Sequence, residues 1–487
     1  MAIVAVCVVA AIRILGAAVP STNPSTHVPT WAYDDWTTKD PCNGGGDGNV
    51  GAPASLVDQW VTYAESNCGP ESLTSKAIND CTHNGMTYCT PVAYLEANWN
   101  YNDNANSQLG PCNVIALTTK PESWWLHIPG TLQQNEVPSN RLRTAVNGGG
   151  NVFNQNTQAV RTWFQNFVRS CLPGYPALMM DDTGGSQSSL LLNSVGSYTS
   201  SAEIQNDREL VTEHQQMAAA VTHAGGAPYL QIDNGLSANN KVATPFALLN
   251  DPSSVEGLIA EDAPVNGGVI TPDSHGNPDQ TYYATLLDEM AYVDHPVADN
   301  LNNDDFIALL SKNPTGSPPS RLVQQATVML GYNGSHIVDW ADLETSSSDL
   351  AVWPEEGIVP TNPVQSMGPP GNASGQSGCL AGDGAVCTRG GHLNLLVPGT
   401  SGVYVREFRD CYKQGTLFGA CAAIVNDTAT RYPVQSGWLT QPYQWQMGLS
   451  GGDVQSGGTI DIEGRAFTAG STTIGPGSAM LLTGLYP

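Results

Sequence analysis

Basic residues are scarce in this chain: 18 Lys and Arg stand against 44 Asp and Glu, a formal net charge of -26 over 487 residues. A surface of that sign repels phosphate backbones and anionic lipid headgroups, which excludes nucleic acid and membrane surfaces as partners and leaves a neutral or cationic substrate. No Cys-x-x-Cys pair or Cys/His cluster has the spacing of zinc ligands, so no metal is expected. The acidic loop Asn302-Asn303-Asp304-Asp305 lacks the spacing of a calcium-binding EF-hand. No Gly-x-Gly-x-x-Gly turn follows the first expected strand, which argues against a dinucleotide fold, and no cofactor is expected. No Gly-x-Ser-x-Gly elbow stands at a strand–helix junction, so a serine nucleophile lacks support.

Long apolar runs are missing too, apart from one. Residues 2–19 (AIVAVCVVAAIRILGAAV) end in small residues and are expected to form a secretory signal cut near Ala17-Ala18, although Arg13 lies inside the run; an uncleaved anchor is the competing reading. Eleven cysteines include Cys7 in that segment, leaving ten. An even number in a secreted chain is expected to form disulfides, with Cys81/Cys89, Cys379/Cys387 and Cys411/Cys421 as the close pairs. Asn333, Asn372 and Asn426 begin glycosylation triplets.

What the chain does have is a repeated event: a short apolar run that stops abruptly in carboxylates, amides or tryptophan. Ala177-Leu-Met-Met180 ends in Asp181-Asp182, and Gly257-Leu-Ile-Ala260 in Glu261-Asp262. Pro228-Tyr-Leu-Gln-Ile232 ends in Asp233-Asn234, and His336-Ile-Val338 in Asp339-Trp340. Buried parallel strands read as continuous apolar runs. Strands are expected at Trp31–Trp36, Val92–Trp99, Trp124–Ile128, Ala177–Asp182, Ala227–Asn234, Gly257–Asp262, Phe306–Leu310 and His336–Trp340. Helical spacing covers Ala54–Ser66, Gln158–Leu172, Glu203–Ala224, Pro245–Leu249, Tyr282–Tyr292 and Arg321–Leu330. Eight alternating units predict an α/β chain with a (β/α)8 TIM barrel over residues 31–350, after a signal at 1–19 and a linker at 20–30. Beyond it, short alternating runs at Leu393–Val397, Gly402–Glu407, Ala422–Val425, Thr459–Glu463 and Ser478–Leu482 predict a small antiparallel β-sandwich over 351–487.

In a (β/α)8 barrel the chemistry sits where strands end, at the C-terminal face. Cleavage of a glycosidic bond needs two carboxyls that flank it, one to protonate the leaving oxygen and one to attack or to activate water. Asp181 and Glu261, the first carboxylates after their strands, are the expected catalytic pair. Their neighbours Asp182 and Asp262 alternate to the other face. Asp34, Trp36, Glu96, Trp99, His127, Asp182, Asp233, Asn234 and Trp340 also end expected strands and are candidates for substrate binding. Asp35, Asn98 and Asp339 hold similar positions. Carboxylates and amides meet sugar hydroxyls, and aromatic faces pack against sugar rings. Of Trp36, Trp99, Trp124, Trp125 and Trp340, at least two are expected to line the cleft.

Two stretches carry a family resemblance. Asn154-Gln-Asn-Thr-Gln-Ala-Val-Arg-Thr-Trp-Phe164 leads toward Gly174-Tyr-Pro-Ala-Leu-Met-Met-Asp-Asp182, followed by Asn234-Gly235 and Glu261. Over residues 30–345 this resembles glycoside hydrolases with TIM barrels, in which a helix entered through Asn precedes a "GYDGVFLDD"-like strand. The chain departs from that pattern at Pro176-Ala177, where the family has Gly. The resemblance implies a retaining or inverting glycosidase with its acids at Asp181 and Glu261. The expectation is therefore a secreted, monomeric glycoside hydrolase acting on an extracellular polysaccharide or oligosaccharide. The alternative is a non-catalytic carbohydrate-binding surface protein on the same scaffold.

Overall fold

The computed structural model describes residues 30–33, 59–63, 90–96, 120–128, 133–143, 151–154, 156–171, 177–181, 230–232, 257–273, 275–294, 306–312, 317–332, 337–340, 357–367, 391–413, 415–449 and 462–485. The expected signal and linker lie outside these residues, as do the helices expected at Glu203–Ala224 and Pro245–Leu249. Among the described residues no helix is long and apolar enough to cross a membrane.

Strands β1 (Thr30–Tyr33), β2 (Gln59–Tyr63), β3 (Thr90–Glu96), β4 (Ala177–Asp181), β5 (Leu230–Ile232) and β6 (Gly257–Asn266) are followed by the short β7 (Val269–Ile270), then β8 (Phe306–Lys312) and β9 (Ile337–Trp340). All but β7 pair in parallel, in the order β5-β4-β3-β2-β1-β9-β8-β6, and β5 also pairs with β6. The pairings therefore run in a closed circuit of eight strands. Closure leaves no edge for another chain to extend.

The expected strand at Trp124–Ile128 is not one of the eight. It lies between β3 and α1 (Gln158–Cys171), where a short 3-10 turn at Glu122–Trp124 gives way to isolated bridges, Trp125 to Phe153 and His127 to Arg141. The missing strand is β2, inside the segment read as the helix Ala54–Ser66. Leu56, Val57, Trp60 and Val61 fit helical spacing, but Gln59-Trp-Val-Thr-Tyr63 is rich in β-branched and aromatic residues, and a short apolar run satisfies both periods. Strand β6 also outruns its expected end. Its register with β8 shifts between Glu261 and Asn266, and it turns back into β7 through Gly267-Gly268, both at positive φ (62° and 85°). A two-residue turn of that hand suits glycine.

Helices α2 (Gln280–Asp294) and α3 (Pro318–Gly331) match their expected positions. Asp279 begins α2 by accepting the Tyr282 N–H at 3.0 Å, the role of an N-cap. α3 starts at Ser317-Pro318-Pro319, where the missing prolyl N–H costs nothing. Val323 and every residue from Gln324 to Leu330 are buried, which fits a helix enclosed on all sides. At its end Gly331 is required by packing, since a Cβ there would stand 2.5 Å from Met290 Sδ.

The other wall of α3 is the C-terminal region. Strands β10 (Ile358–Pro363), β11 (Val403–Lys413), β12 (Thr416–Asn426), β14 (Trp445–Leu449), β15 (Ile462–Ala466) and β17 (Ser478–Thr483) form one antiparallel sheet in the order β10-β11-β12-β17-β14-β15. β13 (Tyr432–Pro433) and β16 (Thr473–Ile474) form a two-stranded ribbon. The sheet matches the expected antiparallel pattern, but among the described residues the second layer is only this ribbon. Leu393–Val397, expected as a strand, begins in a 3-10 turn, while β10, β13, β14 and β16 were not anticipated.

Alternation along β11 sends Arg406 and Glu407 to opposite faces. Arg406, 1% exposed, donates to the Leu330 carbonyl at 2.7 Å, to Tyr332 O at 3.3 Å and to Gln365 O at 3.1 Å. A cation on the last carbonyls of α3 complements the helix end and ties the closed sheet to the antiparallel one. Cys411 and Cys421 form the expected bridge across the β11–β12 hairpin. The pairs Cys81/Cys89 and Cys379/Cys387 lie outside the described residues. Asn426 is not an available glycosylation acceptor: it is fully buried, and its Nδ2 donates to Thr430 O at 2.7 Å and Gly475 O at 2.6 Å. Asn333 and Asn372 lie outside the described residues.

Beside Asn426, Asp427 is fully buried and neither carboxyl oxygen has a hydrogen-bond partner. Burial, and then the charge of Asp279, hold its carboxyl well above the usual range. A carboxyl whose folded pKa is raised costs nothing below the unfolded value of about 3.9. Stability is then lost as pH rises toward the folded pKa, because the unfolded chain releases the proton first. Asp427→Asn is expected to raise the melting temperature at pH 7 and to flatten its decline between pH 4 and 8. A melting curve series in which the variant follows the wild type at every pH would contradict this.

Candidate active site

The geometry that matters is read from register. In parallel neighbours, paired residues share a face of the sheet, and successive residues alternate. Glu96 pairs with Asp181, the last residues of β3 and β4. Met180 pairs with Ile232, and Ile232 with Leu258, so residues 181 and 261 fall on one face. Glu261 pairs with Leu310, and Leu310 with Trp340, which in turn pairs with Trp31. The circuit returns consistently through Trp31–Gln59, Val61–Val92 and Tyr94–Met179. Glu96, Asp181, Glu261 and Trp340 thus share one face at the C-terminal end of the closed sheet.

Packing identifies that face. Ala260, Ile307 and Leu309 belong to the apolar cluster that includes Leu286, Leu287 and Met290 of α2 and Met329 and Leu330 of α3. Ala308, equally buried, alternates to the other face from Ile307 and Leu309. Ala308 pairs with Ile259 and Val338, two residues before Glu261 and Trp340. Register therefore places residues 96, 181, 261 and 340 on the opposite face of the sheet from Ala260, Ile307 and Leu309. Asp339 pairs with Leu309, one residue before Trp340 on β9. Tyr33 and Tyr63 end β1 and β2 on the same face as Glu96. Tyr63 lies in a segment whose apolar residues also fit helical spacing, and its alternation with Val61 is the signal that marks it.

Asp34, Trp36, Trp99, Asp182, Asp233 and Asn234, like Asp35 and Asn98, lie outside the described residues. His127 is described, but away from the eight strands. Its side chain is largely buried, 3.2 Å from Glu122 Oε2, and Glu122 also pairs with Arg141 through Nε at 2.8 Å and through Nη2. Arg141, then His127, hold the Glu122 carboxyl below its ordinary range against the opposing effect of burial. Sequence reading did not single out Glu122, because its partner Arg141 lies nineteen residues away. The strand-end placement expected for His127 is therefore corrected: it belongs to an ion cluster that holds the β3–α1 connection. Trp124 and Trp125 are corrected likewise. Trp125 is 1% exposed, stacked on Phe153 with centroids 5.2 Å apart and covered by Arg141 at 4.9 Å. Both tryptophans are core, and neither offers a free face to a sugar ring.

That connection is anchored at the start of α1. Asn154 Nδ2 and Thr157 Oγ1 both donate to the Ser123 carbonyl, at 3.2 and 2.7 Å. Asn154 and Thr157, just ahead of α1, thus fasten the turn at Glu122–Trp124. Among the described residues no three His, Cys, Asp or Glu side chains gather as metal ligands.

No family model matches the chain, and no curated protein sequence matches it. Solved structures that it resembles include glycoside hydrolases. An α-amylase from Geobacillus thermoleovorans complexed with acarbose is 8% identical, with 93% of this chain and 97% of that one covered and a TM-score of 0.35. A GH30 endoxylanase from Clostridium papyrosolvens is 9% identical, with 94% and 96% covered and a TM-score of 0.39. A MutB mutant in complex with sucrose is 10% identical, with 94% and 98% covered and a TM-score of 0.44.

Proposed function

We propose that the chain is a secreted glycoside hydrolase whose (β/α)8 barrel, over residues 31–350, cleaves a polysaccharide or oligosaccharide by a two-carboxylate mechanism, with a β-sandwich domain over 351–487. The observation that supports this reading is the shared face of Glu96, Asp181 and Glu261 at the C-terminal end of a closed parallel sheet. Strand ends at that face are where such sheets hold their chemistry. In this mechanism Asp181 gives its proton to the glycosidic oxygen as the bond to the anomeric carbon breaks. Glu261 attacks that carbon or deprotonates the attacking water, and the aglycone leaves as an alcohol. Trp340 and Tyr63, on the same face, are assigned to packing against the sugar ring.

Incubation of the purified protein with a panel of neutral and cationic polysaccharides, scored for new reducing ends, tests the activity. Release from at least one member is the expected result. Binding to a polysaccharide with no release from any member would instead favour the non-catalytic carbohydrate binder.

A further inference from the structure

The seam between α2 and the antiparallel sheet holds acids that the candidate site does not use. Asp427 follows β12, is fully buried, and carries a carboxyl in which neither oxygen has a hydrogen-bond partner. Its backbone is held from both sides. The Asp427 N–H donates to the Gly402 carbonyl at 2.8 Å, and a Cβ on Gly402 would stand 2.9 Å from the Asp427 carbonyl oxygen. The next residue, Thr428, accepts the Gly477 N–H at 3.2 Å. A Cβ on Gly477 would stand 3.1 Å from Ile270 Cγ2 and 3.3 Å from Pro278 Cγ. The end of β12 is thus packed closely against the residues that lead into α2.

The titratable groups at this seam come from several elements. The start of α2 brings Asp279, whose Oδ1 accepts the Tyr282 N–H, and the helix itself brings Tyr283 and Asp288. β11 brings Tyr404, with its ring 5.6 Å from that of Tyr283. The 3-10 turn at Gly391–Asn394 brings His392, whose Nδ1 stands 2.8 Å from Asp288 Oδ1, while Asp288 Oδ2 is buried without a partner. α3 brings the Thr327 hydroxyl, 2.6 Å from that of Tyr283. Asp273 and His275, in the turn ahead of Asp279, reach solvent. Burial, and then the charge of Asp427, pushes the Tyr404 hydroxyl above its ordinary range, and burial does the same for Tyr283, so both stay neutral. The charge that acts on Asp427 is that of Asp279, across the seam. Ionised Asp427 therefore sets a second negative charge against Asp279, inside apolar packing and with no donor to meet it.

We propose that Asp427 is a proton latch: protonated, it lets the antiparallel sheet close on α2, and its ionisation as pH rises opens that seam locally while the rest of the fold stands. The sign follows from hydration. In the open seam Asp427 meets water and regains the ordinary carboxyl pKa of about 3.9. The closed seam keeps the proton to higher pH, so closure is strongest in acid. Above about pH 4 the open population grows, by up to about tenfold per pH unit for one proton released.

Hydrogen exchange of the full-length protein, read by mass spectrometry, tests the latch. Wild type is compared with Asp427→Asn at the same pH, so the chemical effect of pH on exchange cancels. Between about pH 4.5 and about pH 7 the ratio of wild-type to variant exchange is expected to rise at least ~10-fold in peptides covering residues 280–283 and 425–428, and to stay constant in β14. Asp279→Asn keeps a side chain able to cap α2 and removes the facing charge, so it is expected to reduce the rise without abolishing it. An equal rise in β14 would mean global unfolding and would overturn the latch. So would a constant ratio, or a larger ratio against His392→Gln than against Asp427→Asn, which would put the sensor at the Asp288 end. Calcium that restores wild-type protection at neutral pH, with no effect on Asp427→Asn, would make the seam a cation site and overturn it as well.

Discussion

Asp181→Asn and Glu261→Gln are each expected to lower turnover at least ~100-fold, the low end for loss of a general acid or base. The effect follows from what each change removes. Asn at 181 has no proton of suitable acidity for the departing oxygen. Gln at 261 has no negative charge for an oxocarbenium-like transition state. Both substitutions nearly preserve side-chain volume, so melting temperatures should stay close to the wild type, and KM should change far less than kcat. Initial rates and thermal melts on one preparation of each variant check this. Near-normal rates in both variants would move the assignment to Asp182, Asp233 and Glu96.

Glu407→Leu is expected to cost on the order of 4 kcal/mol of stability, a large part of the 5–15 kcal/mol that holds a typical domain together. The Glu407 carboxylate is fully buried, yet it accepts from Gln365 Nε2 at 2.8 Å, Thr440 N at 2.9 Å, Thr440 Oγ1 at 2.8 Å, Gln441 N at 3.1 Å and the Tyr443 hydroxyl at 3.1 Å. Leucine matches the apolar neighbours but leaves those donors without an acceptor, and buried unsatisfied donors carry their full desolvation cost. Burial, followed by Glu407, pushes the Tyr443 hydroxyl far above its ordinary range, so it stays a donor at every accessible pH. Urea unfolding is the check. A loss below 1 kcal/mol would mean that the 436–443 segment finds other partners. Glu407→Gln, which keeps one acceptor oxygen, should fall between the two proteins.

The strands that were legible in the sequence are those in which apolar content, length and end residues agree. Ala177–Asp181, Phe306–Lys312 and Ile337–Trp340 are of this kind, and so are helices α2 and α3. Errors arose where one pattern admits two readings. Gln59–Tyr63 has both helical and strand spacing, and Trp124–Ile128 has the composition of a buried strand but serves the core of a connection. Composition says that a tryptophan is buried or exposed only on average; the packing of Trp125 between Phe153 and Arg141 is a tertiary fact. The same limit applies to His127, whose partners stand five residues before it and fourteen after it in the chain. At the candidate site, the first-carboxylate rule selected Asp181 and Glu261, and register puts both on one face. What sequence could not supply was the pairing of Glu96 with Asp181, because strand neighbours depend on the closed order of the sheet and not on distance along the chain.

The most direct measurement of the central claim is the separation of the Asp181 and Glu261 carboxyl groups in a crystal structure of the protein with an oligosaccharide soaked in. The account predicts both carboxyls on an open cleft, flanking one glycosidic bond, at about 5 Å for a retaining enzyme or about 6.5–9.5 Å for an inverting one. Carboxyls on opposite faces of the sheet, a separation well beyond that range, or a cleft filled by the chain's own side chains would contradict it.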